Sequence, residues 1–289
     1  MTTWHDIRDP KDPELDRLAE RYKLHPLHIE DCRHGNQNAK VEEHGDYLFV
    51  VLKQIELNGE GELQIGDTDI FVGKDYIITV EESGCKSIAG ILDRARQSGK
   101  DQRPDQLLYR IMDAVVDSYL PLIDRFNEDI DVLEDEVLGN PDPSMLQKMF
   151  ELKRKLIDVR RVLTNMRDVA GHLQRTEADL VARDMTPFFR DIYDHVVRNL
   201  DMLETQRDLV NGTMDIYLSS VANRTNQVMK VLTVLGTVAI PALAISGFYG
   251  MNIKPLPWAE SPHAVWIVSG MILGTSLGLL LLLKKFRWF

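Results

Sequence analysis

One stretch near the C-terminus has the residue types and spacing of a polar pathway. Asn226, Met229, Thr233, Gly236, Ile240, Leu243 and Gly247 follow one another at alternating steps of three and four. On a helix this makes a heptad stripe of mixed polar, small and apolar side chains, suited to facing partner copies around an axis. The plainer reading is an ordinary packing face. A second group is His25, His28, Cys32 and His34. Imidazole and thiolate suit a soft ion such as Zn²⁺, although single His and Cys on short helices are mostly packing residues. Asp124, Glu128, Asp129, Asp131, Glu134, Asp135 and Glu136 form a dense acidic run, either a device that concentrates cations or a solvated helix face. The sequence contains no Gly-x-x-x-x-Gly-Lys-Ser/Thr phosphate loop, no His-Glu-x-x-His and no Gly-x-Ser-x-Gly. No enzyme activity and no organic cofactor is expected, and any transport must run down an electrochemical gradient or be coupled to another ion.

The elements that must position these residues fall into three textures. Residues 1–103 read as mixed α and β. Leu15 to Tyr22 and Pro26 to Cys32 have short helical patterns, and Tyr47 to Leu57 is rich in β-branched and aromatic residues. Asp69 to Val72 and Tyr76 to Val80 flank Gly73-Lys74-Asp75 as a hairpin. From Pro104 the apolar residues recur three and four apart, which predicts one amphipathic helix to about Leu138, broken by Asn140-Pro141-Asp142-Pro143. A second helix is expected from Ser144 to about Arg175 and a third from near Pro187. Between Pro187 and Gly236 there is no further Pro and only Gly212, so the third helix can run on as a stalk of about 60 residues, roughly 90 Å.

Charge divides the chain. It has 289 residues, with 34 Lys and Arg against 45 Asp and Glu and a net charge of −11. That balance argues against a nucleic-acid partner, which calls for basic excess. Two cysteines, Cys32 and Cys85, are too few for a disulfide framework. After residue 227 there are five basic residues and one acid, so residues 1–227 carry −15. The 23 residues 231–253 and the 23 residues 261–283 carry no formal charge. Each exceeds the roughly 20 apolar residues a helix needs to cross a bilayer core. The polar N-terminus lacks a signal-peptide core. Arg224 and Lys230 precede the first span, and Lys284, Lys285 and Arg287 follow the second, which places both termini in the cytoplasm and the chain in the cell membrane. Trp258 and Trp266 on the outer side, and Phe286, Trp288 and Phe289 on the inner, sit where amphipathic rings favour headgroups. Two helices cannot wall a water-filled path, so a conducting protein must be an oligomer.

The first span ends in Phe248-Tyr249-Gly250-Met251-Asn252, and here the sequence resembles the CorA magnesium-transport family. His25-Pro26-Leu27 with Glu30-Asp31, Ile130 to Glu134, Phe189 to His195, Tyr217 to Ser220 and Thr225 to Thr233 look like that family's segments in the same order. The resemblance implies an α+β cytoplasmic domain with a long helical stalk, followed by two transmembrane α-helices, in a funnel-shaped homopentameric channel. The expected division is 1–103 as a shortened α/β domain, 104–227 as the helical stalk region and 228–251 as a pore-lining span. An external loop, 252–262, a second span, 263–283, and a basic tail, 284–289, complete it.

By the same resemblance Gly250, Met251 and Asn252 form the selectivity filter. Mg²⁺ gives up its water reluctantly, so a ring of neutral Asn252 amide oxygens with Gly250 carbonyls suits the hydrated ion. Taken alone, Asn252 reads as a helix C-terminal cap. Asn226 adds a polar ring, and Met229, Leu232 and Ile240 are apolar constrictions, with Thr233, Gly236, Leu243 and Gly247 along the same pore. Asp31 and Asp191, with Glu30, match the family's regulatory divalent-ion pair between neighbouring subunits. Lys284, Lys285 and Arg287 match its basic collar, or anchor the helix to anionic lipid. Mg²⁺ is therefore expected as both cargo and regulator, with Co²⁺ and Ni²⁺ as further cargo. Two departures stand out: Leu243 replaces the Thr common two residues after the proline at 241, and the domain before Trp4 is short. They motivate an alternative, a non-conducting membrane-anchored metal sensor or scaffold. The other alternative is Zn²⁺ transport, since a zinc-handling branch uses a related Gly-x-Asn triplet.

Overall fold

A computed structural model describes residues 2–35, 37–81, 102–139, 142–252, 256–258 and 260–286. The chain divides into two compact units, Met1–Met214 and Asp215–Phe289. In the first, five strands form one sheet in the order β1-β5-β4-β3-β2. They are β1 (Thr3–Ile7), β2 (Lys40–His44), β3 (Tyr47–Leu57), β4 (Leu63–Gly73) and β5 (Tyr76–Glu81). β1 runs parallel to β5 and the other pairs are antiparallel. The hairpin expected around Gly73-Lys74-Asp75 is β4–β5. Glycine is required at 73 because a Cβ there would overlap the Tyr76 ring.

β3 is buried from Tyr47 through Ile55 without alternation, because both faces of the sheet are covered. On one face lie α1 (Pro13–Tyr22) and α2 (Pro26–His34), whose Leu15, Leu18, Ile29 and Cys32 join Phe49, Val51, Phe71 and Ile78 in one core. Both helices start on a proline behind a capping side chain: Asp12 accepts from the Glu14 amide at 2.8 Å, and His25 Nδ1 from the Leu27 amide at 3.3 Å. α3 (Pro104–Asp117), α4 (Tyr119–Gly139) and α5 (Pro143–Leu173) also pack on the sheet, α3 against β3, β4 and β5, α4 against β3, and α5 against β2 and β3. The single helix expected over Pro104 to Leu138 is thus two. The break falls at Ser118, whose hydroxyl donates to the Val115 carbonyl at 2.6 Å. Pro121, having no N–H, cannot donate to the Asp117 carbonyl.

After a short 3₁₀ turn, Arg183–Met185, α6 runs from Thr186 to Tyr249, 64 residues: the uninterrupted stalk expected between Pro187 and Gly236 continues into the apolar span, with Pro241 inside the helix. In the first unit it buries Phe189, Ile192, Val196, Asn199, Leu203, Gln206, Val210 and Thr213, a strict three-four stripe. Its polar members recur every seventh residue, and Gln206 Nε2 donates to the Ile123 carbonyl of α4 at 2.7 Å, which fixes the register of the two helices. α7 (Ala264–Lys285) lies in the second unit.

Candidate functional site

α6 and α7 each contain an 18-residue window of mean hydropathy 2.1, none of it buried in the single chain. Apolar surface left open on that scale has to be covered by lipid or by other copies. α7 backs onto α6 through Ser276, 8% exposed, whose hydroxyl donates to the Val238 carbonyl at 3.3 Å. On α6, Val234, Thr237, Pro241 and Ile245 are half-buried. The opposite stripe is open at Asn226, Met229, Leu232, Ile240, Leu243 and Gly247, which are exposed, whereas its members Thr233 and Gly236 are half-buried. Thr233 donates its hydroxyl to the Met229 carbonyl at 2.8 Å, leaving only acceptor lone pairs for anything beside it.

The helix stops at Tyr249. The Gly250 amide donates to the Ser246 carbonyl at 2.9 Å and the Met251 amide to the Phe248 carbonyl at 3.3 Å, while Asn252 is already outside the helix. A Cβ on residue 250 would lie 3.1 Å from the Ser246 oxygen and 3.5 Å from the Gly247 oxygen. The tight spot for a side chain there is the approach to the Ser246 carbonyl, not left-handed geometry. Among the described residues neither Gly250 nor Asn252 has positive φ, so the αL cap that Asn252 alone suggests is not what ends the helix.

In the first unit, Asp31 and Asp191 do not share a ligand set within one chain. Asp31 Oδ2 takes the Lys40 ammonium at 2.8 Å, and Asp191 lies 3.8 Å from His195 Nε2, one turn along α6. Glu30 is exposed on α2. What the chain does bring together is Asp113, Asp117 and His195, whose ligand atoms lie within 4.8 Å of one another. Burial first, then the neighbouring Asp117 charge, raises the Asp113 carboxyl above the usual carboxylate range, and Asp191 adds to the push. A divalent cation would relieve that repulsion. Sequence reasoning missed Asp113 and Asp117, although their spacing of four on α3, like that of Asp191 and His195 on α6, puts each pair on one helix face.

The His25, His28, Cys32 and His34 group does not assemble. His28 is buried, with Nδ1 2.8 Å from the Tyr47 hydroxyl and Nε2 2.9 Å from Glu42 Oε2. Burial lowers its pKa, so the ring is neutral at pH 7 and donates from Nε2 to the carboxylate. Cys32 points into the core, where burial and the Asp69 carboxylate push its thiol up. His34 is exposed and meets the Glu30 carbonyl at 3.0 Å. The acidic run lies on α4 beside a buried apolar stripe. Arg125 pairs with Glu128 at 2.9 Å and Asp129 at 3.4 Å, and Glu136 with Lys148 at 2.9 Å, the pattern of a solvated helix face. Lys284 and Lys285 close the last turn of α7, exposed, where cations complement the helix dipole; Arg287 lies outside the described residues.

Residues 1–285 match the family described as CorA-like Mg²⁺ transporter protein. The cobalt/magnesium transport protein CorA of Thermotoga maritima is 35% identical over 281 residues, 95% of this chain and 79% of that protein. The complete structure of the CorA magnesium transporter from Methanocaldococcus jannaschii superposes with a TM-score of 0.86 at 25% identity, covering 99% of this chain and 91% of that one. The full-length CmaX protein superposes at 0.81 with 20% identity, over 99% and 88%, a likeness of fold alone. The open apolar helices, the Tyr-Gly-Met-Asn turn and this full-length match lead to one assignment: the chain is a membrane protein of the CorA-like Mg²⁺ transporter family.

Proposed function

We propose that five copies of the chain form a passive channel that admits Mg²⁺, and with it Co²⁺ and Ni²⁺, to the cytoplasm, with both termini on that side. The observation that carries the proposal is the open stripe of α6, in which Asn226 and Gly247 stand among the exposed Met229, Leu232, Ile240 and Leu243, away from the half-buried Val234, Thr237, Pro241 and Ile245. Copies that meet along this stripe would enclose Asn226, Met229, Leu232, Thr233, Gly236, Ile240, Leu243 and Gly247 as the pore. At its outer end the turn at Gly250 and Met251 would hold a ring of Asn252 amides as the filter. Neutral acceptors bind a hydrated ion loosely enough to release it. The driving force is the membrane potential, about 2.3 kcal/mol per charge per 100 mV, hence roughly twice that for a divalent ion.

Closure is the work of cytoplasmic Mg²⁺ at Asp31 and Asp191 of neighbouring copies, assisted by Glu30, with Asp113 and Asp117 beside Asp191. Bridged carboxylates hold subunits together, and bare ones repel. Lys284, Lys285 and Arg287 form a collar at the inner mouth. The test is Asn252→Ala, purified as an intact oligomer and assayed for Mg²⁺ flux in liposomes. Severe loss of flux is expected. Unchanged flux would remove Asn252 from the path, and an absence of Mg²⁺ flux in both proteins would turn the reading to Zn²⁺ transport or to a non-conducting scaffold, according to whether Zn²⁺ moves.

A further inference from the structure

We infer that Lys40 is a tethered counter-ion that occupies Asp31 when no divalent ion is present, and so sets the Mg²⁺ concentration at which that carboxylate is engaged. The inference rests on the reading of Asp31 as a regulatory ligand. The Lys40 ammonium sits between two carboxylates, 2.8 Å from Asp31 Oδ2 and 2.6 Å from Glu42 Oε1. Its backbone is fixed on β2 opposite Val51 of β3, and its ammonium lies 5.6 Å from the Phe49 ring centre. Asp31 is carried by α2, so the contact joins helix to sheet. The other carboxylate is held from behind: Glu42 Oε2 accepts from His28 Nε2 at 2.9 Å. With Nε2 donating, His28 Nδ1 is the acceptor for the Tyr47 hydroxyl at 2.8 Å, and that hydroxyl in turn accepts the His25 amide at 2.8 Å. The relay pins Glu42 but leaves Asp31 held only from the Lys40 side among these contacts.

This arrangement gives the ammonium two berths of unequal permanence. When Mg²⁺ takes Asp31, Lys40 gives up one contact and keeps Glu42, so no charge is stranded. A lysine suits the exchange, being a compact hydrated point charge without the bidentate grip of arginine. Asp31 and Lys40 side chains are 23% and 29% exposed, open enough for a hydrated ion to reach the pair and shielded enough for the pair to matter. Two carboxylates with one ammonium leave a local charge of −1. Without the ammonium it is −2, and the same ion binds more tightly.

The experiment uses the full-length protein in detergent micelles and reads the Mg²⁺ concentration for half-maximal protection from limited proteolysis, with Mg²⁺ binding followed by calorimetry. Lys40→Met keeps the apolar stem and should lower that concentration about three- to fivefold, the range of a partly exposed ion pair. Lys40→Gln serves as a second variant with the same expectation, and Lys40→Arg should hold the concentration at or above that of the unmodified chain. Thermal midpoints in chelator establish that the variants are folded. A lysine that only props up the fold would move the midpoint and weaken Mg²⁺ protection in both neutral variants. Asp31→Asn separates the two layers of the argument. If it abolishes Mg²⁺ protection while Lys40→Met and Lys40→Gln leave the half-maximal concentration unchanged or raise it, the counter-ion role is overturned and the regulatory reading stands. If Asp31→Asn responds like the unmodified chain, the regulatory reading itself fails and the role of Lys40 with it.

Discussion

Gly250→Ala is the substitution whose consequence follows most directly from the geometry. The added Cβ would sit 3.1 Å from the Ser246 carbonyl oxygen, closer than ordinary van der Waals contact, and the obstacle is helix backbone that no rotamer change can move. Relief requires a shift of a few tenths of an ångström, at the expense of the 2.9 Å bond from the Gly250 amide to that same oxygen. Overpacking of this kind together with a weakened hydrogen bond costs about 1–2 kcal/mol. At 1.4 kcal/mol per factor of ten, the native turn becomes about five- to thirtyfold less populated in each chain relative to a relaxed one. A filter made from several copies needs every turn in place, so Mg²⁺ uptake into liposomes should fall at least about tenfold. Gly274→Ala on α7, where nothing lies within 4 Å of the new methyl, is the control that adds the same atom without the collision. Size-exclusion chromatography of both variants reports whether the oligomer is intact. Uptake by an intact Gly250→Ala oligomer equal to that of the unmodified protein would refute the idea that this tight turn positions Asn252.

Burial pushes Asp69 up to about 7 from an unfolded value of 3.8, so its carboxylate disfavours the folded state increasingly as pH rises through that window. Asp69→Asn should therefore raise the thermal midpoint above pH 7 and lose the advantage toward pH 4; at about 1.4 kcal/mol for each pH unit crossed, the full effect approaches about 4 kcal/mol, and a gain independent of pH would contradict it. Lys53 and Asp67 form a buried ion pair, 6% and 4% exposed, so Lys53→Met strands a buried carboxylate and should cost about 3–5 kcal/mol in denaturant titrations, most of it recovered by the double change with Asp67→Leu. Ser276→Ala should cost only about 0.6 kcal/mol of helix pairing in a membrane unfolding assay, whereas Ser276→Leu, forced into an 8% exposed contact, should cost clearly more.

Features set by local chemistry were legible from the residues. The β-branched run of β3 and the Gly73 turn marked the hairpin region, and between Pro187 and Gly236 the absence of a further Pro, with Gly212 alone, marked the stalk of α6 as one helix. Pro241 does not end that helix; inside an apolar span the remaining backbone bonds have no water to exchange with. Features set by distant partners were not legible. β1 exists because Thr3–Ile7 pairs in parallel with Tyr76–Val80, more than seventy residues away, and the charged β2 because it lies against Val51 to Tyr47 of β3. The break at Ser118 was hidden because apolar spacing continues through it while its φ of −67° stays helical. Nearness in sequence misled at His25, His28, Cys32 and His34: the turn of α2 sends His28 and Cys32 inward and leaves His34 outside. The pairing of Asp31 with Lys40 spans a helix and a strand, and no spacing rule announces it.

The central claim is that this chain carries Mg²⁺ passively through a path ending at Asn252. The most direct measurement is Mg²⁺ entry into liposomes containing only the purified protein, under an inside-negative potential set by a K⁺ gradient and again with the potential collapsed, with Zn²⁺ entry followed in parallel. The account predicts potential-driven Mg²⁺ entry that falls when the potential is removed and disappears in Asn252→Ala; entry of Zn²⁺ without Mg²⁺, or no entry of either ion by a folded oligomer, would contradict it.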